Sequence, residues 1–163
     1  MNQDALSRLV AQAVSQTLKQ KNGLSDMNLK AAQELTDRVL QKAAAEGISA
    51  VIAVANKSAR PVAVACMDDA YIASYDIALN KAYTSAALKM DTRRLKELSQ
   101  PGGPLYGVQH TNQGKIVIFG GGVPLFSGDR LIGALGVSGG SEAQDTALAE
   151  YGGAIFEEVL LCL

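Results

Sequence analysis

The chain has no tryptophan, three phenylalanines, five tyrosines, four prolines, two cysteines and one histidine among its 163 residues. Each scarcity removes a class of protein. A single histidine, His110, excludes a multi-histidine metal site, and two distant cysteines do not rescue a structural zinc site. Cys66 lies in mid-chain and Cys162 next to the C-terminus, far too few for a disulfide-stapled fold. A chain of this length buries roughly 70% of its extended surface on folding and needs no such staple. Charge of one sign is missing too, with a formal net charge of -1. Nucleic-acid binding normally leaves a basic stripe. The only basic cluster is Arg93, Arg94 and Lys96, set between Asp91 and Glu97 as on a solvated helix face, so nucleic acid is not an expected partner. No apolar run approaches the ~20 residues of a membrane helix. Asp4, Arg8 and Gln12 interrupt any apolar signal core. The expectation is therefore no membrane partner, a cytoplasmic location and reduced thiols.

What is present is a globular composition, 48% hydrophobic and 19% charged. Along the chain, residues 2–19 have helical period, with Leu6, Leu9, Val10, Ala13 and Val14 on one face. A polar stretch around Gly23 follows and reads as a linker. A second helix is expected over 28–46, with Leu29, Ala32, Leu35, Val39 and Ala43 as its buried stripe. Ser25, Asp26 or Asn28 would cap it, Glu34 and Arg38 would pair along it, and Gly47 would stop it. The period then becomes that of a sheet. Val51-Ile52-Ala53-Val54-Ala55 and Val62-Ala63-Val64-Ala65-Cys66-Met67 read as strands, antiparallel because their connection is short. A helix over 72–90 has two partly apolar faces. One carries Ile72, Tyr75, Leu79, Ala82, Tyr83 and Ala86 and is expected inside; the other carries Ser74, Ile77, Lys81, Ser85 and Leu88 and is a candidate ligand wall or subunit contact. A short helix over 91–98 and a Gly/Pro loop lead to a strand at Lys115-Ile116-Val117-Ile118-Phe119, which Gly120-Gly121-Gly122 interrupts. A hairpin, a strand over 131–137 and a final helix from Ser141 complete the chain. The order predicts an α+β layered domain.

Tests for chemistry give little. A Walker A loop would need glycine at Gln109 and Ser or Thr at Ile116. A dinucleotide fingerprint would need glycine at Leu125. Ser141 and Gln144 have capping-box spacing, and Glu142 and Asp145 add negative charge, so the last helix start is not an expected phosphate site. Gly121 and Gly122 allow either a bulge or the close approach of another body. Cys66 is expected as a buried thiol on a core strand, and His110 as a polar loop residue. These two are also the side chains able to ligate a haem iron. Asp68 and Asp69 are adjacent and would point to opposite sides of a strand, so they make no carboxylate pair. No catalytic residue is assigned.

The run from about 27 to 159 resembles the family of small haem-binding proteins that includes GlcG, HbpS and the C-terminal domain of PduO. The resemblance rests on Cys66-Met67-Asp68-Asp69-Ala70 with Ser74, on Asn80-Lys81-Ala82 with Thr84, and on Gly121-Gly122-Val123-Pro124. It continues through Ile132-Gly133-Ala134, Gly136-Val137-Ser138-Gly139-Gly140 and Asp145. It implies a profilin-like layered domain, a central antiparallel sheet of about five strands flanked by helices, over 26–163. It implies a homo-oligomer that binds haem or a corrinoid beside cobalamin-dependent diol, glycerol or glycolate metabolism. Candidate cofactor-binding residues are then Cys66, Ser74, Lys81, His110, Gly121 and Gly122, with Cys66 and His110 as candidate iron ligands. The chain departs from the family pattern at Cys66, where arginine is usual, and at Asn56, where aspartate is usual. No adenosyltransferase domain is expected, so that activity does not come with the resemblance. Residues 1–20, followed by a 21–25 linker, are similar to the targeting helices of enzymes packaged in bacterial microcompartments. A microcompartment lumen, its shell or a cobalamin-dependent enzyme are the implied location and partners. The alternative is a cofactor-free oligomeric assembly module.

Overall fold

A computed structural model describes residues 24–163. The helix expected over 1–20 and the start of the linker lie outside the described residues. Helix α1, Leu29–Ala45, begins where the Asn28 side chain accepts the Ala31 N–H at 2.8 Å. Ala32, Leu35, Val39 and Ala43 form the expected buried stripe, but Leu29 is exposed. The Arg38–Glu34 pair forms at 2.8 Å. Gly47, at φ +68°, takes the left-handed turn that ends the helix.

Strands β1, Val51–Asn56, and β2, Pro61–Cys66, pair antiparallel. The Asn56 carboxamide closes their turn by accepting the Ser58 and Arg60 N–H groups. Helix α2, Ile72–Leu88, and the short α3, Thr92–Leu98, follow. The hairpin of β3, Gly122–Ser127, and β4, Arg130–Ser138, leads into α4, Glu142–Leu161. The sheet has the order β2-β1-β4-β3 and is antiparallel throughout. Ile52, Val54, Leu135 and Val137 face α1 and α4. Val51, Ala53 and Ala55 face α2 and meet Ala78 and Ala82. The α+β layered architecture is thus the expected one. No helix among the described residues is long and apolar enough to cross a membrane.

Three local expectations are corrected. Residues 115–119 are not a strand. No ladder forms there: Val117 N–H donates to Thr84 Oγ1 at 3.0 Å, and Gly120 N–H just beyond donates to Glu142 Oε1 at 3.0 Å. Helix α2 buries Ser74, Lys81 and Ser85 along with Ala78, Ala82 and Ala86, and leaves Ile72 and Tyr75 exposed. The floor beneath it includes Ala53, Ala55 and Gly136, so the helix lies close and, Lys81 apart, the side chains that fit there are small. Cys66 is exposed, not buried. It is the last residue of an edge strand, and α2 packs mainly over β1, β4 and β3.

Candidate functional site

The buried face of α2 carries a lysine, and its surroundings explain how that is tolerated. Lys81 has no solvent exposure. An ammonium has three donors. Nζ donates to Asp145 Oδ2 at 2.8 Å and to the Val137 carbonyl at 2.8 Å. The Phe119 ring takes the remaining side, its centroid 4.9 Å away. Asp145 is satisfied in turn, because Oδ1 accepts the Gly140 N–H at 2.9 Å. One ion pair therefore ties α2 to the first turn of α4 and to the end of β4. Burial pushes the Lys81 ammonium below its ordinary value, while the hydrogen bond and charge of Asp145 oppose that shift.

The glycine run makes room for this pair. Gly121 has φ +112°, and a Cβ there would lie 2.6 Å from Lys81 Nζ and 2.9 Å from Asp145 Cβ. A Cβ on Gly122 would lie 2.8 Å from the Lys81 carbonyl and from Ser85 Oγ. The Gly122 N–H donates to the buried Thr92 Oγ1 at 2.9 Å. The body that lies against the run is α2 itself, the helix neighbour expected of a structural glycine run, and not a ligand lying on its backbone.

A cleft of about 310 Å³ opens beside the pair, lined by Tyr71, Ser74, Ile77, Phe119, Ser138 and Asp145 among others. Ser138 Oγ donates to Ser74 Oγ at 3.2 Å, both side chains being buried. Glu142 stands at the rim. It accepts Gly120 N–H and, at 2.6 Å, Lys96 Nζ, and these bonds hold its carboxyl below the usual range.

Four of the residues singled out from sequence, Ser74, Lys81, Gly121 and Gly122, therefore sit around one centre. Cys66 does not join them inside, but it lies in the same cross-strand row: Val51 pairs with both Cys66 and Ser138. The turn over 67–70, closed by Ala70 N–H to the Met67 carbonyl, leads from Cys66 straight to the start of α2. There Tyr71, Ile72 and Tyr75 are 74%, 96% and 46% exposed. His110 is elsewhere. Its loop is anchored at the far end of α2, where Asn112 Nδ2 donates to the Tyr83 hydroxyl at 2.9 Å. Within one chain Cys66 and His110 are separated by much of a helix about 25 Å long at 1.5 Å per residue. They are not brought to one iron. Among the described residues, no group of three or more His, Cys, Asp or Glu side chains could hold a metal ion.

Sequence reasoning placed Asp145 in the first turn of α4 but did not pair it with Lys81. The signal was a lysine between buried helix positions, with a glycine run later in the chain. Phe119 was missed as a site residue because it was read as part of a strand.

Comparison with known proteins adds the following. A model of the HbpS-like family, described as haem degrading protein HbpS-like, matches residues 27–154. The 15.0 kDa protein of the dhaT-dhaS intergenic region of Citrobacter freundii is 41% identical over 136 residues, covering 83% of this chain and 96% of that one. The corrinoid adenosyltransferase PduO of Salmonella typhimurium is 37% identical over 117 residues, 72% of this chain but only 35% of PduO. The chain thus spans about a third of that relative. A crystal structure of a PduOC:heme complex superposes with a TM-score of 0.76 at 34% identity, covering 79% of this chain and 94% of that one.

Proposed function

The chain belongs to the HbpS-like family, and from that premise we propose that it binds haem, or a corrinoid, beside cobalamin-dependent diol, glycerol or glycolate metabolism. The observation that carries this reading is the exposed Cys66 thiol next to the uncovered start of α2. A planar tetrapyrrole needs an apolar face and a ligand for its metal. Tyr71, Ile72 and Tyr75 supply the face, and Cys66 supplies a thiolate of the kind that ligates haem iron. Bound haem would bring a redox-active iron with its own visible absorption. The buried Lys81–Asp145 pair holds the middle of α2, and the Ser74–Ser138 hydrogen bond its first turn, against the end of β4, and together they fix the surface on which the ligand lies. The adenosyltransferase activity named for PduO is not carried over, because this chain matches only a third of it.

The test is titration of the purified protein with hemin and, separately, with cobalamins. A saturable change in the visible spectrum is expected with hemin or a corrinoid, altered in band position by Cys66→Ser. No saturable change with any of them defeats the proposal.

A second reading, a cofactor-free assembly module of a microcompartment or enzyme complex, is favoured by one observation. The surface is rimmed by the exposed Asp68, Asp69 and Asp76, which would repel the carboxylates of haem. Deleting residues 1–21 and following co-localisation with compartment shells tests its targeting part, and unchanged localisation rejects it.

A further inference from the structure

Helix α4 and the edge strand β3 enclose a second groove, away from the start of α2. It holds about 440 Å³, with Pro124 and Phe126 of β3 on one side and Gly153 and Ala154 of α4 on the other. Glu150, Ala154, Glu157 and Leu161 follow one another at helical spacing and so lie along one face of α4. Phe126 and Leu161 are 38% and 75% exposed. Asp91, Glu150 and Glu157 make the rim acidic. Among the described residues, only Glu150 of these three belongs to an ion pair, with Arg93. The chain enters the domain at the Leu161 end of this groove. Met27 N–H donates to the Ile132 carbonyl at 3.1 Å, on the β1 side of β4, and Phe126 lies on the other side of β4, opposite Leu131. Met27 is thus two strand spacings, ~10 Å, from Phe126. Just ahead of it, the Ser25 carbonyl accepts from Lys57 Nζ and the Asp26 carboxylate from Lys57 N–H, so the chain before residue 25 is delivered to this end of the sheet.

We propose that the amphipathic segment over residues 2–19 occupies this groove on the domain of its own chain, with Leu6, Leu9, Val10 and Ala13 laid against Phe126, Ala154 and Leu161. The lengths agree. A helix over these residues is ~27 Å long and spans the ~17 Å between Glu150 and Leu161 along α4. Residues 20–23 reach up to ~14 Å, enough to turn the segment from the end of the sheet onto α4. The charges agree as well. Arg8, Lys19 and Lys21 outnumber the single Asp4 in the segment and linker, and the groove rim is acidic. Lys19 and Lys21 lie nearest the junction, the end at which Glu157 stands. A short tether also holds this occupant at an effective concentration on the order of millimolar, which favours it over any separate molecule. Docked in this way, the segment keeps its apolar face turned inward. A partner that captures the segment has first to lift it from the groove.

Amide hydrogen exchange of the full chain, read by mass spectrometry, tests the docking. A helix this short has little stability of its own in water, so slow exchange over residues 6–18 reports a packed state. Two variants accompany the wild type, with circular dichroism to confirm that each is folded. One changes the segment, Leu9→Glu with Val10→Glu; the other changes the groove at exposed positions, Phe126→Ser with Ala154→Glu. Exchange over residues 6–18 is expected at least tenfold faster in both variants than in the wild type. Fast exchange in the wild type overturns the proposal, and so does slow exchange that survives the groove change, which would place the segment elsewhere. A second protein carries Val10→Cys and Ala154→Cys in a background of Cys66→Ser and Cys162→Ser, treated with a flexible bismaleimide. A cross-link within one chain, at monomer mass on a denaturing gel, is expected. A cross-link between chains, or none, overturns docking of the segment on its own domain.

Discussion

Replacing Asp145 with asparagine removes a single charge and should destabilise the fold more than any surface change. Lys81 would be left with no ion-pair partner and no solvent. The asparagine also cannot serve both donors that Asp145 serves. Its one oxygen can accept from Lys81 or from Gly140, and its NH₂ group then faces the other donor. Removing one partner of a buried ion pair costs about 3–5 kcal/mol. For a protein of this size that is a fall in Tm of roughly 6–20 °C. The assay is urea and thermal unfolding followed by circular dichroism at one fixed protomer concentration, since association would otherwise shift the transition. The companion is the double change Lys81→Met with Asp145→Leu, which leaves no charge behind. It should cost far less than the sum of the single changes, because the penalty lies in the unpaired ion and not in the loss of the pair. A loss under about 1 kcal/mol for Asp145→Asn, or additivity in the cycle, would refute the reasoning.

Other outcomes follow from neighbouring contacts. Ser141→Ala should cost about 0.5–2 kcal/mol in the same assay, because it opens the capping box with Gln144. Gly121→Ala should cost more than about 1 kcal/mol, since it meets Lys81 Nζ and forces a side chain to positive φ; a neutral result would mean the run has slack. The Glu142 carboxyl is held low in the folded state, so its contribution is present above the unfolded carboxylate range and is lost as pH falls through the folded value. Glu142→Gln should therefore flatten stability between about pH 5 and 3, read from midpoints in urea. Lys81 is depressed in the folded state, so stability should rise with pH as the unfolded lysine range near 10.5 is approached, and Lys81→Met should remove that rise.

The fold was legible because its elements have clean periods. The short apolar run Val51-Ile52-Ala53-Val54-Ala55, rich in β-branched residues, marked a strand, and the 3–4 spacing of Ala32, Leu35, Val39 and Ala43 marked one helix face. The hairpin turns and the Ser141 cap followed from local chemistry. What failed was set by partners distant in sequence. Helix α2 reads from its large residues as burying Ile72 and Tyr75, yet over Gly136 and the alanines of the sheet it buries small side chains and the ion-paired Lys81 instead. Residues 115–119 are apolar and β-branched, but Thr84 and Glu142 reach this segment first and take the Val117 and Gly120 N–H groups. Of the candidate site, Lys81, Ser74 and the glycines were visible as a set. Their centre was not, because the pairing of Lys81 with Asp145 spans 64 residues.

The strand order has a consequence for how the chain comes off the ribosome. The middle of the sheet is the pairing of β1 with β4, and each belongs to a different hairpin. When β1, β2 and α2 have emerged, β1 still lacks its inner neighbour and Lys81 still lacks its carboxylate. α1 can pack on β1 and β2 as they appear, but its contact with α4 waits for the far end of the chain. Contacts so distant in sequence close slowly. For most of its synthesis the chain therefore exposes one half-paired hairpin, and the native core can form only after β4 and α4 have been made.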